Sequence, residues 1–534
     1  MEDKRKETDM KRLMMMLMLM MIGLPCFAQP DLATRLKTQM EYLTSPEVAG
    51  RDAPGPNGDK VAQWVADRFK EDGIEKGGSH HRSDFFDKVT IMSSKIAPEY
   101  TFVTIYADLA PRGMRERDTM KHTPDYYMRK TDLEKRLRGV THTFKYGDDL
   151  LTFPRRLSYF NQMELKGVPC GYGLSLPELN RNDYPEAVKG CVAFVKPGQD
   201  LPPDKTGMRG GTAFKAAAAE RAGAIAMFIC YPDTAVWPPV EVQSKLADSS
   251  KVILDVWKSK VDPSPEFHVY YLRLPKGTGL EVFEGKLLRF RTGFETPIEQ
   301  LSNNVVGLLP GSTHEWVIVG AHYDHIGEGF PGADDNASGT VGLLELARKW
   351  GRSGEVPKRG IIFVSFTCEE DGLLGSQWFA QHLPVPKDKV VAMINLDMIG
   401  RDGFANFREA MKPGATPPKG YAAAYFSAPS PALKDILRSA ADGVDLQTTV
   451  QPINSFRHFG DGAPFHEAGI PTVHIFSGFH ADYHQPTDTP DKIDYDKIAK
   501  MIELTDRTLK GLVEAPTRPG FDPTIKSEGG GMGY

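Results

Sequence analysis

Residues 316–339 read WVIVGAHYDHIGEGFPGADDNASG. An apolar run ends abruptly in His322, Asp324 and His325, and the following turn carries Asp334, Asp335 and Asn336. Crowded carboxylates and imidazoles repel or desolvate one another unless a cation lies between them. The pattern returns downstream, where FVSFTC leads into Glu369 and Glu370 and AMINL into Asp397. A fourth apolar stretch, IPTVHIF, precedes SGFHADYHQPTDTPDKID, which contributes His484. Carboxylates and imidazoles without a thiolate suit hard-to-borderline divalent cations, zinc first, with cobalt or manganese as substitutes. A catalytic zinc usually takes about three protein ligands, so the five that three carboxylates and two imidazoles would supply are too many for one ion. Shared between two ions through a bridging carboxylate, they leave open positions on each, as a two-metal hydrolase requires.

The elements that would gather these groups are legible in the same region. Strand candidates are Trp316–Gly320, Ile361–Phe366, Val390–Asn395 and Thr472–Phe476, and helix candidates are Thr340–Trp350, Ser376–His382, Pro431–Asp442 and Tyr495–Val513. Nearly continuous apolar strands alternating with amphipathic helices predict an α/β fold: a largely parallel, mixed, twisted sheet covered by helices on both faces. Ligands bind beyond the carboxyl ends of such strands. His322, Glu369, Glu370 and Asp397 all fall there, and the loops bearing Asp335 and His484 lie on the same edge.

At 534 residues the chain exceeds one hydrophobic core. Its 40% apolar and 25% charged content is ordinary for a globular protein, and a net charge of −5 without a basic stripe argues against nucleic acid as partner. Residues 1–28 read as a secretory signal peptide: Lys11-Arg12, an apolar run from Leu13 to Leu24, then Cys26-Phe27-Ala28. That run falls short of the roughly 20 residues that span a bilayer, so no transmembrane anchor is expected after cleavage. Pro25 makes Cys26 a poor lipoprotein anchor. The expected product is exported, periplasmic or secreted, with its oligomeric state open. Cys170, Cys191, Cys230 and Cys368 show no metal-type spacing and are read as buried thiols. The expected domains are an N-terminal part and connector at 29–163, a β-rich α/β insert at 164–284, a catalytic domain at 285–516 and a flexible tail at 517–534.

Together GAHYDHIG, GADDNASG, TCEEDGLLGS, NLDMIGR and DYHQPTDTPDKID resemble the zinc aminopeptidases of peptidase family M28. TSPEVAGRDAPGPNG resembles the start of such domains, and LSNNVVGLLPGS the lead into their metal motif. VKGCVAFVKPG and KAAAAERAGAIAMFI resemble the protease-associated (PA) insert of that group. The resemblance implies two zinc ions, one on His322 and Asp397, the other on Glu370 and His484, with Asp335 bridging. It implies Glu369 as general base, Asp324 as the orienting partner of His322, and Asp488 in a similar role toward His484. Peptides with a free N-terminus are the implied substrates. The chain departs from the family pattern at GDGAPF (Gly460–Phe465), where many relatives carry Ser-Asp-His.

Other groups have plainer readings. His325 and Asp334 are read as loop residues, His80-His81 as surface, Cys368 as a packing thiol. HEAGI lacks the second histidine of a single-zinc HExxH helix. His474 and His480 fall near the site, and Arg401 follows the Asp397 strand, where it reaches either substrate or a neighbouring acid. Three alternatives to an aminopeptidase stay open: a carboxypeptidase or dipeptidase of the same fold, a one-zinc glutaminyl cyclase, and a non-enzymatic peptidase-like binding protein.

Overall fold

The computed structural model describes residues 30–79, 82–94, 101–106, 140–152, 162–201, 211–239, 252–254, 267–284, 286–291, 298–410, 414–456 and 459–527. The leader expected at 1–28, with Cys26, and the His80-His81 pair lie outside them.

Alternation along the strands builds two cores around one sheet. Val317, Val319 and Ala321 face one side, and Ile318 the other, as the two-residue period of a strand requires. On the first side Val317, Val319, Phe363, Ile394 and Ile475 pack against the helices Leu32–Leu43, Pro56–Glu71, Gly339–Gly351, Leu433–Ala441 and Tyr495–Glu514. On the second, Ile318, Ile362, Val364 and Met393 meet Phe379 and Phe465 from the short helices Leu374–Gln381 and Ala463–Glu467. The helix Tyr495–Glu514 buries Ile498, Ile502, Thr505, Leu509 and Leu512, a stripe spaced three and four residues apart. The Asp494 side chain caps it by accepting from the Lys497 N–H at 3.0 Å.

The sheet is mixed, as expected. Its middle runs in the order Gly360–Phe366, Trp316–His322, Val390–Asp397, Thr472–Phe476, and all three pairings are parallel. Antiparallel strands flank this block: Ile298–Leu309 and Phe86–Ser94 on one side, Tyr421–Ser427 on the other. The chain leaves the Trp316–His322 strand, adds Gly360–Phe366 on one side and Val390–Asp397 on the other. Such a reversal opens a crevice at the carboxyl edge. Tyr421–Ser427 reads AAAYFS at its core, a run of weak β propensity that becomes a strand because both its faces are buried.

A second, eight-stranded sheet has its own core, in which Phe228 stacks between Phe194 and Tyr270, with centroids 5.0 and 4.5 Å apart. It takes Val192–Val195, Ala226–Tyr231 and His268–Arg273 from the expected insert. It also takes Phe102–Tyr106, Val140–Lys145 and Leu150–Thr152, which precede residue 164. Conversely Val252–Leu254 pairs with Phe86–Ser94 in the main sheet. Residues 517–527 pack along the main unit: Arg518 donates to Asp388 O and Val390 O, and Ser527 pairs with Asn454.

Candidate metal centre

The crevice edge collects the expected groups. His322 and Asp397 are the last residues of adjacent parallel strands. Glu369 and Glu370 follow the neighbouring strand Gly360–Phe366, and His484 follows Thr472–Phe476. Cys368, Met398 and His484 hold φ values of 52°, 49° and 56°. These left-handed conformations in non-glycine residues mark backbone strain gathered at one place.

The Asp335 carboxylate lies at the middle. Its Oδ1 is 3.5 Å from His322 Nε2, which is itself 3.6 Å from Asp397 Oδ1. Its Oδ2 is 3.0 Å from His484 Nε2, which is 3.1 Å from Glu370 Oε2. One carboxylate thus serves two imidazole–carboxylate sets. Glu369 joins the first set: one donor atom each of His322, Glu369 and Asp397 lies within 4.8 Å of the others. His325, Asp335 and Glu370 make a second such trio. Among the described residues no Lys or Arg forms an ion pair with Asp324, Asp335, Glu369, Glu370 or Asp397. Asp397 Oδ1 is buried without a hydrogen-bond partner, a need that a bound cation would meet.

The Asp335 loop is held from behind. Asp488 Oδ2 accepts the N–H groups of Asp334 and Asp335 at 3.0 and 3.1 Å. Asn336 Oδ1 accepts from Gly339 N and Met398 N, and Asp334 Oδ1 from Gly400 N. Asp488 therefore serves the Asp335 backbone; its expected partner His484 instead stacks on the Tyr483 ring, centroids 3.9 Å apart. Asp324 accepts the N–H groups of Glu369 and Glu370 at 3.1 and 3.3 Å, while its carboxylate is 3.8 Å from His322 Nδ1. The closer neighbour of that nitrogen is the Asp324 carbonyl, at 3.2 Å.

Electrostatics follow from burial and crowding. Desolvation, reinforced by Glu370, Asp461 and Asp397, pushes Glu369 well above the usual carboxylate range. Desolvation lifts Asp324 to about 8. Burial opposes the charge on His484, yet Glu370 and Asp335 outweigh it and raise the imidazole to about 10.

Three residues beyond the expected set belong here. His325, read as a loop residue, is buried with Nδ1 2.8 Å from Glu370 Oε1. Its place three residues after His322 was the available signal. Asp461, fully buried with neither oxygen hydrogen bonded, has its carboxyl pushed by desolvation to about 7. It lies in the GDGAPF segment, where a Cβ on Gly460 would meet Asp397 Oδ2 at 2.9 Å. Arg51, 271 residues before His322, is the third, and its donors reach Tyr323 O and Gly332 O. Of the remaining candidates, His480 Nε2 lies 3.1 Å from Asp334 Oδ2, and His474 Nδ1 accepts from Asn395 Nδ2. Arg401 pairs with Asp482 at 2.8 Å, so it reaches a neighbouring acid. Cys368 packs beside Val89, Ile91 and Leu374.

This donor set, on the carboxyl edge of a mixed α/β sheet, is one that could hold divalent cations. Residues 304–508 match the model of peptidase family M28. Among curated proteins, the segment is similar to leupeptin-inactivating enzyme 1 of Streptomyces exfoliatus, 29% identical over 38% of this chain and 43% of that one. It is similar to aminopeptidase YwaD of Bacillus subtilis, 29% identical over 43% and 48%, and to an aminopeptidase of Pseudomonas aeruginosa, 41% identical over 20% and 19%. The chain thus spans less than half the length of each of these relatives. Among solved structures it is similar to an aminopeptidase from Aneurinibacillus sp. strain AM-1, with 19% identity, TM-score 0.49, and 93% and 96% of the two chains covered.

Proposed function

We propose that the chain is a di-zinc aminopeptidase that removes N-terminal residues from peptides. The observation that carries this reading is the Asp335 carboxylate, with one oxygen toward His322 and Asp397 and the other toward His484 and Glu370. The donor set fits zinc: two imidazoles and three carboxylates, no thiolate, and a buried Asp397 oxygen that nothing else satisfies. Bound divalent cations polarise a substrate carbonyl and lower the pKa of water toward neutrality. Glu369 accepts the proton of the attacking water and returns it to the leaving amine, a task suited to a carboxylate whose proton affinity burial has raised. Asp324 fixes the backbone from which both Glu369 and Glu370 project. The free α-amine of a peptide is complementary to this surplus of acids, which favours cleavage after the first residue. The curated relatives named aminopeptidase support that choice. The leader-like residues 1–28 support export, and no helix among the described residues is long and apolar enough to cross a membrane.

The test is hydrolysis of leucyl- and alanyl-anilides beside the same compounds with blocked N-termini. Free amines are expected to be cleaved, a chelator to abolish the reaction, and zinc to restore it. Equal cleavage of the blocked compounds would contradict the aminopeptidase reading.

A further inference from the structure

Arg51 is a buried guanidinium with no carboxylate paired to it among the described residues. Its five N–H groups are all used, each on a backbone carbonyl. Nε donates to Tyr323 O at 2.8 Å. One terminal nitrogen donates to Leu43 O and Pro331 O, both at 2.7 Å. The other donates to Gly332 O at 2.9 Å and reaches Asp335 O at 3.4 Å. Tyr323 lies between His322 and Asp324, and Gly332 and Asp335 bracket the turn that presents the bridging carboxylate. One rigid fork therefore ties the backbone of the His322 side to that of Asp335. The segment bringing it is tightly seated. Arg51 O accepts from His325 N and Gly50 O from Gly327 N, and a Cβ on Gly50 would stand 1.6 Å from Gly327 O. Arg51 itself holds a left-handed φ of 48°, a conformation kept only where the surroundings enforce it.

Burial lowers the guanidinium to about 10, which leaves it charged at neutral pH. Its opposite charges are the acids of the centre, Asp335 and Asp324 first among them. Arg359 makes an instructive contrast. It too is buried, but it pairs with Glu315 at 2.7 Å and stands at the start of the Gly360–Phe366 strand, the end away from the site.

We infer that Arg51 is a positioning residue of the metal centre, holding the 323–335 loop in its binding geometry before any ion arrives. The centre is then completed by a residue that lies outside the 304–508 family segment. This inference rests on the metallopeptidase reading.

Two experiments test it. In the first, hydrogen exchange of the wild-type chain is compared with zinc bound and after chelation. Amides of residues 323–337 are expected to keep their protection within about threefold. Loss of that protection by about a hundredfold or more on chelation would overturn the inference, because the ion and not Arg51 would then be ordering the loop. In the second, zinc affinity is measured by chelator competition for R51K and R359K. R51K keeps the charge but loses the fork, and is expected to bind zinc about 10–100-fold more weakly, the usual cost of losing a group that orients metal ligands. R359K is expected to lower the melting temperature and leave affinity within about threefold. Unchanged affinity in folded R51K, or equal loss in R359K, would overturn the inference. Should R51K not fold, the wild-type exchange experiment decides. A wild type that takes up no zinc contradicts the metallopeptidase reading itself, and this shows before any variant is made.

Discussion

In the proposed mechanism Asp335 and Glu369 have different roles, and substitution separates them. Glu369→Gln keeps the shape and removes the proton acceptor. Its turnover is expected to fall about 10²–10⁴-fold, with zinc content by atomic emission unchanged. Asp335→Asn weakens a group shared by both imidazole–carboxylate sets, so zinc content itself is expected to fall, and activity to fall further than in Glu369→Gln. Retained zinc in Asp335→Asn would contradict the bridging role. At this scale the sequence was most informative where a titratable residue ends an apolar run, as at His322 and Asp397. Arg51 was opaque, because a guanidinium that binds only carbonyl oxygens leaves no complementary acid to find. Asp461 was opaque because its burial depends on the strands that end in His322 and Asp397, remote from it in sequence.

Among the elements, the parallel strands Val390–Asp397 and Thr472–Phe476 share a buried polar link, Asn395 Nδ2 donating to His474 Nδ1 at 3.1 Å. The bond requires a neutral imidazole, and desolvation lowers His474 from 6.5 to about 4. Between those values the unfolded chain binds the proton and the folded chain does not. The stabilisation is therefore intact above pH 6.5 and is lost as pH falls toward 4, by up to about 3 kcal/mol. Urea midpoints at pH 7 and 4.5 are expected to differ more in the wild type than in His474→Asn. An equal acid shift in both would contradict the assignment. Strands and helices of the central parallel block were legible in the sequence because continuous burial leaves an apolar run. Tyr421–Ser427 and Gln447–Ile453 were not, since an alanine run and a strand interrupted by glutamine and proline carry little strand signal until a neighbouring strand fixes them.

For the whole molecule, the second sheet and its separate aromatic core lead us to propose a module built from strands between 102 and 291, Val252–Leu254 excepted, wider than the 164–284 read from composition. Its early strands are short and set among charged segments, so they lacked the periodicity that marks a core element. Zinc bound in the main unit would stabilise that unit by mass action, by about 2.7 kcal/mol at a hundred times the dissociation constant. Calorimetry is expected to show two transitions, of which only one moves up with zinc. A single transition that moves as a whole would contradict the separate module. The account as a whole turns on the charge balance around Asp335, and an anomalous-scattering map at the zinc edge from zinc-loaded crystals tests it most directly. Two peaks are predicted, one between Asp335, His322 and Asp397 and one between Asp335, Glu370 and His484. A single peak, or none, in that crevice would contradict it.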